Sequence, residues 1–352
     1  MLLTHPSAPV ELASGIDALY LSARGTVPQM LLDELEQHRT TAHDTETPVD
    51  TTLGGYLVRV LGSGWGKYRY CAQHELARIG ITHSERLPAV RIQPTALALH
   101  SLGPAQTVLF VRNLLDAAGV VDATLSVSRL DLHSDWQHLP IDADERTSFV
   151  TYSDRRALYE VDDQLTGLNF GKRGGAVYAR VYDKTRESTD HGHDYWPKLW
   201  GPAFDPNLPV IRIEFEFTRD GLREFGVNTP EEAFDMTGAL WAYATHQWLT
   251  LRIPSGDETR SRWPLDPRWA AVQRSSLVGA SIPAERIRAG EHAGTLRKML
   301  PALVGYLTGA ALPLGTHDID DTLDALVPHL VAHSQQTGVS FADRISDKRR
   351  RS

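Results

Sequence analysis

Three short segments of the chain alternate strictly between apolar and polar residues, which is the period expected of β-strands that bury one face. They read SRLDLHSD, VYARVYDK and VIRIEFEF, and each places its apolar side chains on one side. The polar sides carry Arg129, Asp131, His133 and Asp135, then Tyr178, Arg180, Tyr182 and Lys184, then Arg212, Glu214 and Glu216. The pattern therefore predicts three strands with an apolar core behind them and a polar surface in front.

Two interpretations of this polar surface are open. Carboxylates on neighbouring strands can approach closely enough to share a hard divalent cation, which prefers oxygen ligands. The same faces also suit the solvated side of an antiparallel sheet, where opposite charges pair across strands. Two of the three faces combine arginine with carboxylates, and the third is rich in tyrosine. This combination favours a functional site over a solvated sheet face.

A glycine-rich hairpin is predicted before the second segment, in the sequence NFGKRGGAVY. Gly171, Gly174 and Gly175 allow a tight turn and a close approach of the backbone to a ligand. Lys172 and Arg173 would stand at its tip, where a phosphate group would fit. A hairpin needs glycines and a soluble tip in any case, so this feature alone does not decide between the two roles.

The overall composition is that of an ordinary globular protein. The 352 residues have a formal net charge of -8, so a polycation that coats nucleic acid is excluded and any bound anion must be met by local positive charge. The single cysteine, Cys71, excludes an internal disulfide and favours a reducing compartment. We expect a cytoplasmic protein with no secretion signal and no membrane span.

The chain divides by pattern into three parts: an acidic segment over residues 1–50, a region of mixed strands and helices over 51–253 that contains the three polar segments, and a mostly helical region over 254–352. Prolines and glycines between 254 and 268 suggest the second boundary. Helical periodicity predicts helices over 105–118, 237–251, 287–307 and 318–333. The expected fold class is α/β (α+β), with a mainly antiparallel sheet backed by helices and a helical C-terminal region.

These motifs, in this order, resemble the replication initiation factor (Rep_trans) family of rolling-circle plasmid initiators and related relaxases. The resemblance covers about residues 128–217 and rests on RLDLHSD, on the glycine and basic turn before RVYDKTRE, and on IRIEFEF. The RVYDKTRE block is the most specific part. In that family a tyrosine hydroxyl attacks a DNA phosphodiester and leaves a 5′-phosphotyrosine and a free 3′-hydroxyl.

By this resemblance Tyr182 is the candidate nucleophile, and Tyr178 on the same face is its rival or a platform for an unpaired base. A phenol is a weak nucleophile at neutral pH, so the expected helpers are the positive charges of Arg180 and Lys184. Mg²⁺ or Mn²⁺ would polarise the phosphate. The expected metal ligands are Asp131 and Glu214, with Asp135 and Glu216 in reserve, and the expected DNA contacts are Lys172, Arg173 and Arg186.

The implied partners are origin DNA, both duplex and single-stranded, with a host helicase and a second copy of the chain as further possibilities. The helical region from 254 onward, which is rich in arginine, is the expected part for origin recognition. Three alternatives remain open at this stage: a relaxase for conjugative transfer with the same chemistry, a non-catalytic DNA-binding regulator of the same fold, and a metal nuclease that uses activated water.

Overall fold

The computed structural model describes residues 8–161, 164–192, 195–278, 293–337, 339–343 and 345. The strands are β1 (Val10–Thr26), β2 (Val49–Leu53), β3 (Tyr56–Val60), β4 (Tyr70–His74), β5 (Ala77–Ile81), β6 (Val90–Pro94), β7 (Val121–Gln137), β8 (Phe149–Thr151), β9 (Arg156–Val161), β10 (Gln164–Phe170), β11 (Val177–Asp183), β12 (Ile211–Thr218) and β13 (Leu249–Leu251).

The α-helices are α1 (Gln29–Asp44), α2 (Ala96–Leu102), α3 (Pro104–Ala117), α4 (Lys184–Asp190), α5 (Trp196–Trp200), α6 (Arg219–Glu224), α7 (Pro230–Asp235), α8 (Thr237–Tyr243), α9 (Pro267–Gln273), α10 (Ala293–Leu314) and α11 (Ile319–Thr337). A π-helical turn over Ala244–Trp248 continues α8. The predicted helix over 237–251 therefore stops early, because Leu249–Leu251 pairs with β8 instead.

Eleven strands form one sheet in the part of the chain that the structure describes, in the order β2-β3-β4-β5-β6-β1-β7-β12-β11-β10-β9. Every adjacent pair in it is antiparallel. Helices complete the architecture, so the predicted mixed class with a mainly antiparallel sheet is confirmed. The short strands β8 and β13 form a separate ladder.

The strand β1 joins the two halves of the sheet. It pairs with β7 from Val10↔Gln137 to Thr26↔Val121 and with β6 near its end. Leu19, Leu21 and Ala23 on this strand are fully buried in the core. Residues 10–26 are therefore a central strand, and the sequence-based division of residues 1–50 into a separate acidic segment differs from the structure.

The apolar face of the sheet carries the main core. Phe215 of β12 meets the rings of Trp241 and Trp248 edge-on, at centroid distances of 5.4 and 6.3 Å. Phe217 contacts Phe225, the residue that follows α6, in the same manner. Each of these aromatic side chains removes a large apolar area from water, which is the main favourable contribution to folding.

A second, smaller core covers part of the polar face. Trp196 and Trp200 of α5 pack with Val210, and all three are buried. The ring of Trp196 lies 4.9 Å from His100 of α2, centroid to centroid. The sheet is therefore sandwiched at this end, and only the rest of the polar face remains accessible.

The chain forms two compact units, Met1–Glu285 and Arg286–Ser352. The first includes α9, whose Trp269 is buried and donates a hydrogen bond to the carbonyl of Thr245 at 2.9 Å. The division therefore lies well beyond the expected boundary at 254. Of the arginines expected to recognise the origin, Arg268 is tied to Glu145 and Asp266, and Arg286 and Arg288 lie outside the described residues.

The second unit contains the described helices α10 and α11, which contact each other. Pro328 lies inside α11 without ending it. The hydroxyls of Thr316 and Thr322 are 2.7 Å apart at the turn between the helices. Across the described residues, no helix combines the length and the apolar character that a bilayer span needs.

The packing of the apolar face gives a stability prediction. We expect Phe215→Ala to lower the free energy of unfolding by about 3–5 kcal/mol, since it removes a fully buried ring and leaves a cavity. The matched control is Leu57→Ala on β3, where the side chain is 76% exposed and the effect should stay within about 0.5 kcal/mol. Urea unfolding followed by tryptophan fluorescence measures both, and equal effects would contradict this description of the core.

Candidate functional site

The three predicted polar segments are adjacent strands of the sheet. Strand β12 lies between β7 and β11, and both pairings run in register along their length. The polar residues therefore form three rows across the strands β11, β12 and β7. The rows are Tyr178–Glu216–Asp131, Arg180–Glu214–His133 and Tyr182–Arg212–Asp135.

The first row opens into a strongly cationic cavity of about 450 Å³. We call it the arginine cavity, and its lining combines six cations with a single carboxylate. The cations are Arg129, Arg155, Arg156, Lys172, Arg173 and Arg180, and the carboxylate is that of Glu216. Such an excess of positive charge at a concave surface suits a phosphate-bearing ligand.

The predicted hairpin forms the edge of this cavity. It connects β10 with β11, and Gly171 and Gly174 take positive φ angles of 96° and 77°. A Cβ atom at Gly171 would lie 3.0 Å from the carbonyl oxygen of Val177, so glycine is required there. Lys172 and Arg173 line the cavity as a pair. Both residues lie in the turn between β10 and β11, and their role as DNA contacts stays a prediction.

Strand β9 supplies lining residues that the sequence analysis did not single out. Arg155 and Arg156 stand at its start, and Tyr159 follows on the same strand. Asn169 of β10 pairs directly with Arg180. In the sequence, two adjacent arginines that precede a glycine-rich basic hairpin are the signal that could have identified these lining residues.

The hydroxyl of Tyr182 is placed against a carboxylate. It donates a hydrogen bond to Glu214 Oε2 at 3.1 Å, while Arg180 binds the other oxygen, Oε1. The Tyr182 side chain is partly exposed and lines a cavity of about 300 Å³ that Arg180 and Arg186 also line. We call it the Tyr182 cavity. The lining also includes the carboxylates of Asp183, Glu187 and Asp190, so this cavity has no excess of positive charge.

The two tyrosines differ in their surroundings. Burial raises the pKa of Tyr182 well above its ordinary value, and the charge of Glu214 adds to the shift. Burial also raises the pKa of Tyr178, which lines the arginine cavity, although Arg180 and Arg173 oppose that shift. Neither phenol is therefore ionised at rest near neutral pH, so a nucleophilic role needs a group that accepts the proton.

Asp131, Glu214 and Glu216 lie close to two arginines. Arg129 binds Asp131 through two hydrogen bonds of 2.5 and 2.7 Å and Glu216 at 2.8 Å, and Arg180 binds Glu214. Three carboxylates thus face two guanidinium groups. Burial raises the pKa of Asp131 to about 8, and the charges of Glu214 and Glu216 add to this shift against the pull of Arg129.

This group has the ligand type of a divalent-cation site but not its arrangement. If all three carboxylates were ionised, they would exceed the two guanidiniums by one negative charge, and their oxygens are the hard ligands that Mg²⁺ and Mn²⁺ prefer. Because the pKa of Asp131 is raised to about 8, a bound cation would have to displace its proton near neutral pH. In the described part of the chain, no three or more His, Cys, Asp or Glu side chains are already grouped around a common point as metal ligands. An ion would therefore replace some of the contacts to Arg129 and Arg180.

Asp135 lies apart from these carboxylates, beneath the second core. Arg212 binds it through hydrogen bonds of 2.6 and 2.7 Å, and Trp200 Nε1 donates to it at 2.8 Å. Both charged side chains are fully buried, and Arg212 also binds Asp17 at 2.6 Å. Asp135 is thus held in a structural ion pair, and we leave it out of the proposed ion site.

Lys184 also points away from the open surface. Strand β11 ends at Asp183, whose side chain accepts a hydrogen bond from the backbone of Arg186 and caps α4. Lys184 is the first residue of this helix, and its Nζ lies 2.5 Å from Glu187 and 4.8 Å from the ring of Trp196. Burial lowers its pKa, with Arg212 adding to the shift. Its Nζ nevertheless lies 5.9 Å from the centroid of the Tyr182 ring, so its positive charge reaches that residue from within the covered part of the site.

The sequence matches no protein-family model and no curated protein. Among solved structures, the chain is similar to one described as "Structure of Rolling Circle Replication Initiator Protein from Geobacillus stearothermophilus", with a TM-score of 0.46 and 12% identity. The alignment covers 78% of this chain and 98% of that one. A likeness at this level assigns neither a family nor an activity to the chain.

The buried histidine of the middle row gives a pH prediction. Burial lowers the pKa of His133 to about 3, with the charge of Arg212 adding to the shift, so the folded protein holds the ring neutral. The unfolded chain binds a proton near pH 6.5. Stability is therefore lost as the pH falls from about 6.5 toward 3, and at pH 5 the loss from this residue is about 2 kcal/mol.

We expect His133→Phe to remove this part of the pH dependence. Relative to the wild type, the variant should gain about 2 kcal/mol between pH 7 and pH 5, because phenylalanine takes up no proton. The ring should still fit beside His100 and Trp196, which contact His133 at present. Urea unfolding at the two pH values measures the difference, and parallel pH profiles would show that His133 titrates normally in the fold.

Proposed function

We propose that this chain is a rolling-circle replication initiator that nicks and rejoins one DNA strand through a 5′-phosphotyrosine intermediate. The observation that carries the proposal is the hydrogen bond from the hydroxyl of Tyr182, a residue of the RVYDKTRE block, to Glu214, next to the arginine cavity that Arg180 also lines. A hydroxyl nucleophile, a proton acceptor and a phosphate-binding surface are the three parts that such a reaction needs.

Glu214 is positioned to activate the nucleophile. As the Tyr182 oxygen bonds to phosphorus, its proton passes to the Glu214 carboxylate, which lies 3.1 Å away. The bond from phosphorus to the 3′ oxygen breaks, and that oxygen takes a proton from a water molecule, which regains one from the Glu214 carboxylic acid. The 3′-hydroxyl is thus freed and Glu214 returns to its carboxylate. Rejoining is the reverse: the 3′-hydroxyl attacks the phosphotyrosine, and Tyr182 recovers its proton.

The guanidinium groups stabilise the charge that develops on the phosphate. Arg180 lines both the arginine cavity and the Tyr182 cavity, and Glu214 fixes its orientation. Arg186 lines the Tyr182 cavity from α4. Lys172 and Arg173 would hold the neighbouring phosphates of the strand. Donors fixed in advance in this way lower the barrier because they need no reorganisation during the reaction.

Tyr178 fits a supporting role in the arginine cavity. It stands in the row next to Asp131 and Glu216, among cations that attract the backbone. An aromatic ring there can stack against an unpaired base. Among the hydrogen bonds of the described residues, none links the Tyr178 hydroxyl to a carboxylate that could take its proton, which favours Tyr182 as the nucleophile.

Mg²⁺ or Mn²⁺ belongs to the proposal as the cofactor. Asp131, Glu214 and Glu216 would hold it through their carboxylate oxygens, and its charge would favour the ionised form of Asp131. When bound, such an ion polarises a phosphoryl oxygen and neutralises charge at the reacting centre. Arg129 orients two of these carboxylates and keeps them in place.

The proposal includes the setting of the reaction. The substrate is origin DNA, opened to a single strand at the nick, in the cytoplasm. A host helicase and a second copy of the chain are proposed partners by resemblance alone. A relaxase in conjugative transfer would use the same chemistry, so the site supports that role equally.

The nucleophile is tested by a pair of conservative variants. We expect Tyr182→Phe to abolish nicking of supercoiled origin DNA in Mn²⁺, by at least about a thousandfold, and to abolish the covalent adduct. Tyr178→Phe should keep the adduct and only weaken binding. Agarose gels with and without protease measure both. If Tyr178→Phe loses the adduct and Tyr182→Phe keeps it, Tyr178 is the nucleophile. If Tyr182→Phe nicks normally without an adduct, the nucleophile is an activated water.

The cofactor is tested by metal titration. We expect Asp131→Asn to raise the Mn²⁺ concentration needed for half-maximal nicking by about tenfold or more, because it removes a charged ligand. Chelation of the ion should stop nicking by the wild type. A matched control is Asp122→Asn on β7, where the side chain is exposed and away from the site rows. An unchanged Mn²⁺ requirement in Asp131→Asn would remove Asp131 as a ligand.

A further inference from the structure

Beside the arginine cavity lies another concave surface, with a volume of about 510 Å³. We call it the serine–arginine cavity. Five arginines, two tyrosines, four serine or threonine hydroxyls and one proline line it, and no carboxylate is among these described residues. Because the chain as a whole has a net charge of -8, this is a local concentration of positive charge. Its chemistry suits a ligand that carries several phosphates.

The floor of this cavity belongs to the same face of the sheet as the candidate site. Ser22 of β1 pairs with Arg91 of β6 on one side and with Ser126 of β7 on the other. Tyr20, two residues earlier on β1, pairs with Arg129, which precedes Asp131 on its strand face. The polar face therefore continues from the site rows across β7, β1 and β6.

Aromatic rings contact the arginines on the floor of this cavity. The guanidinium carbon of Arg91 lies 4.2 Å from the centroid of the Trp65 ring and 5.3 Å from that of Tyr20. The guanidinium carbon of Arg129 lies 5.1 Å from the centroid of the Tyr20 ring, and that of Arg78 lies 4.8 Å from the centroid of Trp65. Arginine and aromatic groups thus contact one another across this floor. Cation–π contacts fix the guanidinium planes and leave their N–H edges available to an anion.

The positive charge of the cavity is largely uncompensated. Of its five arginines, only Arg129 and Arg223 lie within ion-pair distance of a carboxylate among the described residues, and the Arg223 pair is exposed and 3.9 Å apart. Arg219 binds backbone carbonyls of Val127 and Val227 instead. Burial and the nearby charge of Arg223 lower the pKa of Arg219, as expected where cations crowd together.

The two cationic cavities are continuous at one residue. Arg129 lines both the arginine cavity and the serine–arginine cavity. A ligand long enough to fill both would be a polyanion that passes over Arg129, close to Asp131 and Glu216. A free phosphate or a mononucleotide would fill only one of them.

We propose that the serine–arginine cavity binds the phosphate backbone of the single DNA strand that continues away from the nicking site. This inference rests on the proposed function, because it extends the path of the same substrate. A concave surface admits one flexible strand, whereas a stiff duplex would bridge its rim. The lining offers guanidinium and hydroxyl groups that bind phosphates, and the Tyr20 ring already contacts Arg91 and Arg129, so we expect recognition of the backbone without sequence preference.

The test measures binding of the full chain to fluorescent oligothymidine, which has no secondary structure. One probe of about 24 nucleotides is long enough to cross both cavities, and one of about 6 nucleotides is not. The variant Arg24→Ser/Arg223→Ser removes two exposed arginines of the cavity. Among the described residues, their one ion pair is the exposed 3.9 Å contact of Arg223 with Asp220, so the fold should tolerate the change. The control Arg59→Ser/Arg112→Ser removes two exposed arginines elsewhere, so the net charge is the same.

We expect the cavity variant to bind the long probe about tenfold more weakly, with the slope of log affinity against log salt reduced by about 1.4 for two lost phosphate contacts. Its affinity for the short probe should change less than twofold. The control should resemble the wild type with both probes. Equal losses in the two variants, or no loss in either, would overturn the proposal, as would a larger loss for duplex DNA than for the single strand.

The result is separable from the nicking proposal. Binding is measured without metal, so it does not require the reaction. If Tyr182→Phe still nicks while the cavity variant loses the long probe, the nucleophile is wrong and the strand path stands. If the adduct forms on Tyr182 and the cavity variant binds like the wild type, the proposed chemistry stands and the strand leaves by another path.

Discussion

The arrangement of the site depends on the burial of charged side chains on one face of a β-sheet. Such burial is costly unless every charge has a partner of opposite sign and good geometry. The in-register pairing of β7, β12 and β11 provides this, because it sets Arg212 opposite Asp135 and Arg180 opposite Glu214. Loss of register by one residue would turn these charges into the aromatic core behind the sheet.

The same face serves two purposes along its length. At one end Trp196 and Trp200 close over Arg212 and Asp135, and the ion pair there is part of the scaffold. At the other end the face is open, and the cations exceed the carboxylates. A rigid, covered end and an accessible, positively charged end together hold the Tyr182 hydroxyl at a fixed position beside the surface on which we place the DNA strand.

The sequence predicts the three site strands, their shared polar face and the basic hairpin, since a period of two and a glycine-rich turn are local signals. It does not predict the role of β1. Tyr20, Ser22 and Arg24 alternate with apolar neighbours there, but the strand's partner β7 is about a hundred residues away, and acidic residues on either side hide the pattern. Long-range pairing of this kind leaves no mark in local spacing.

The sequence also gives no sign of the layer of side chains that covers one end of the polar face. The segment around Trp196 and Trp200 has no clear period, and only the fold shows that it lies on Arg212. For the same reason, sequence spacing groups Asp135 with Asp131 on one strand face, although the structure commits Asp135 to a buried ion pair. Which charges are available to a ligand is decided by the packing above the sheet.

The most direct test of the account is to locate the covalent bond. Origin DNA is nicked by the wild-type chain, the adduct is digested with nuclease and protease, and the modified peptide is sequenced by mass spectrometry. The account predicts a residual nucleotide on Tyr182. A nucleotide on Tyr178 or on any other side chain, or nicked DNA with no modified peptide, would contradict it.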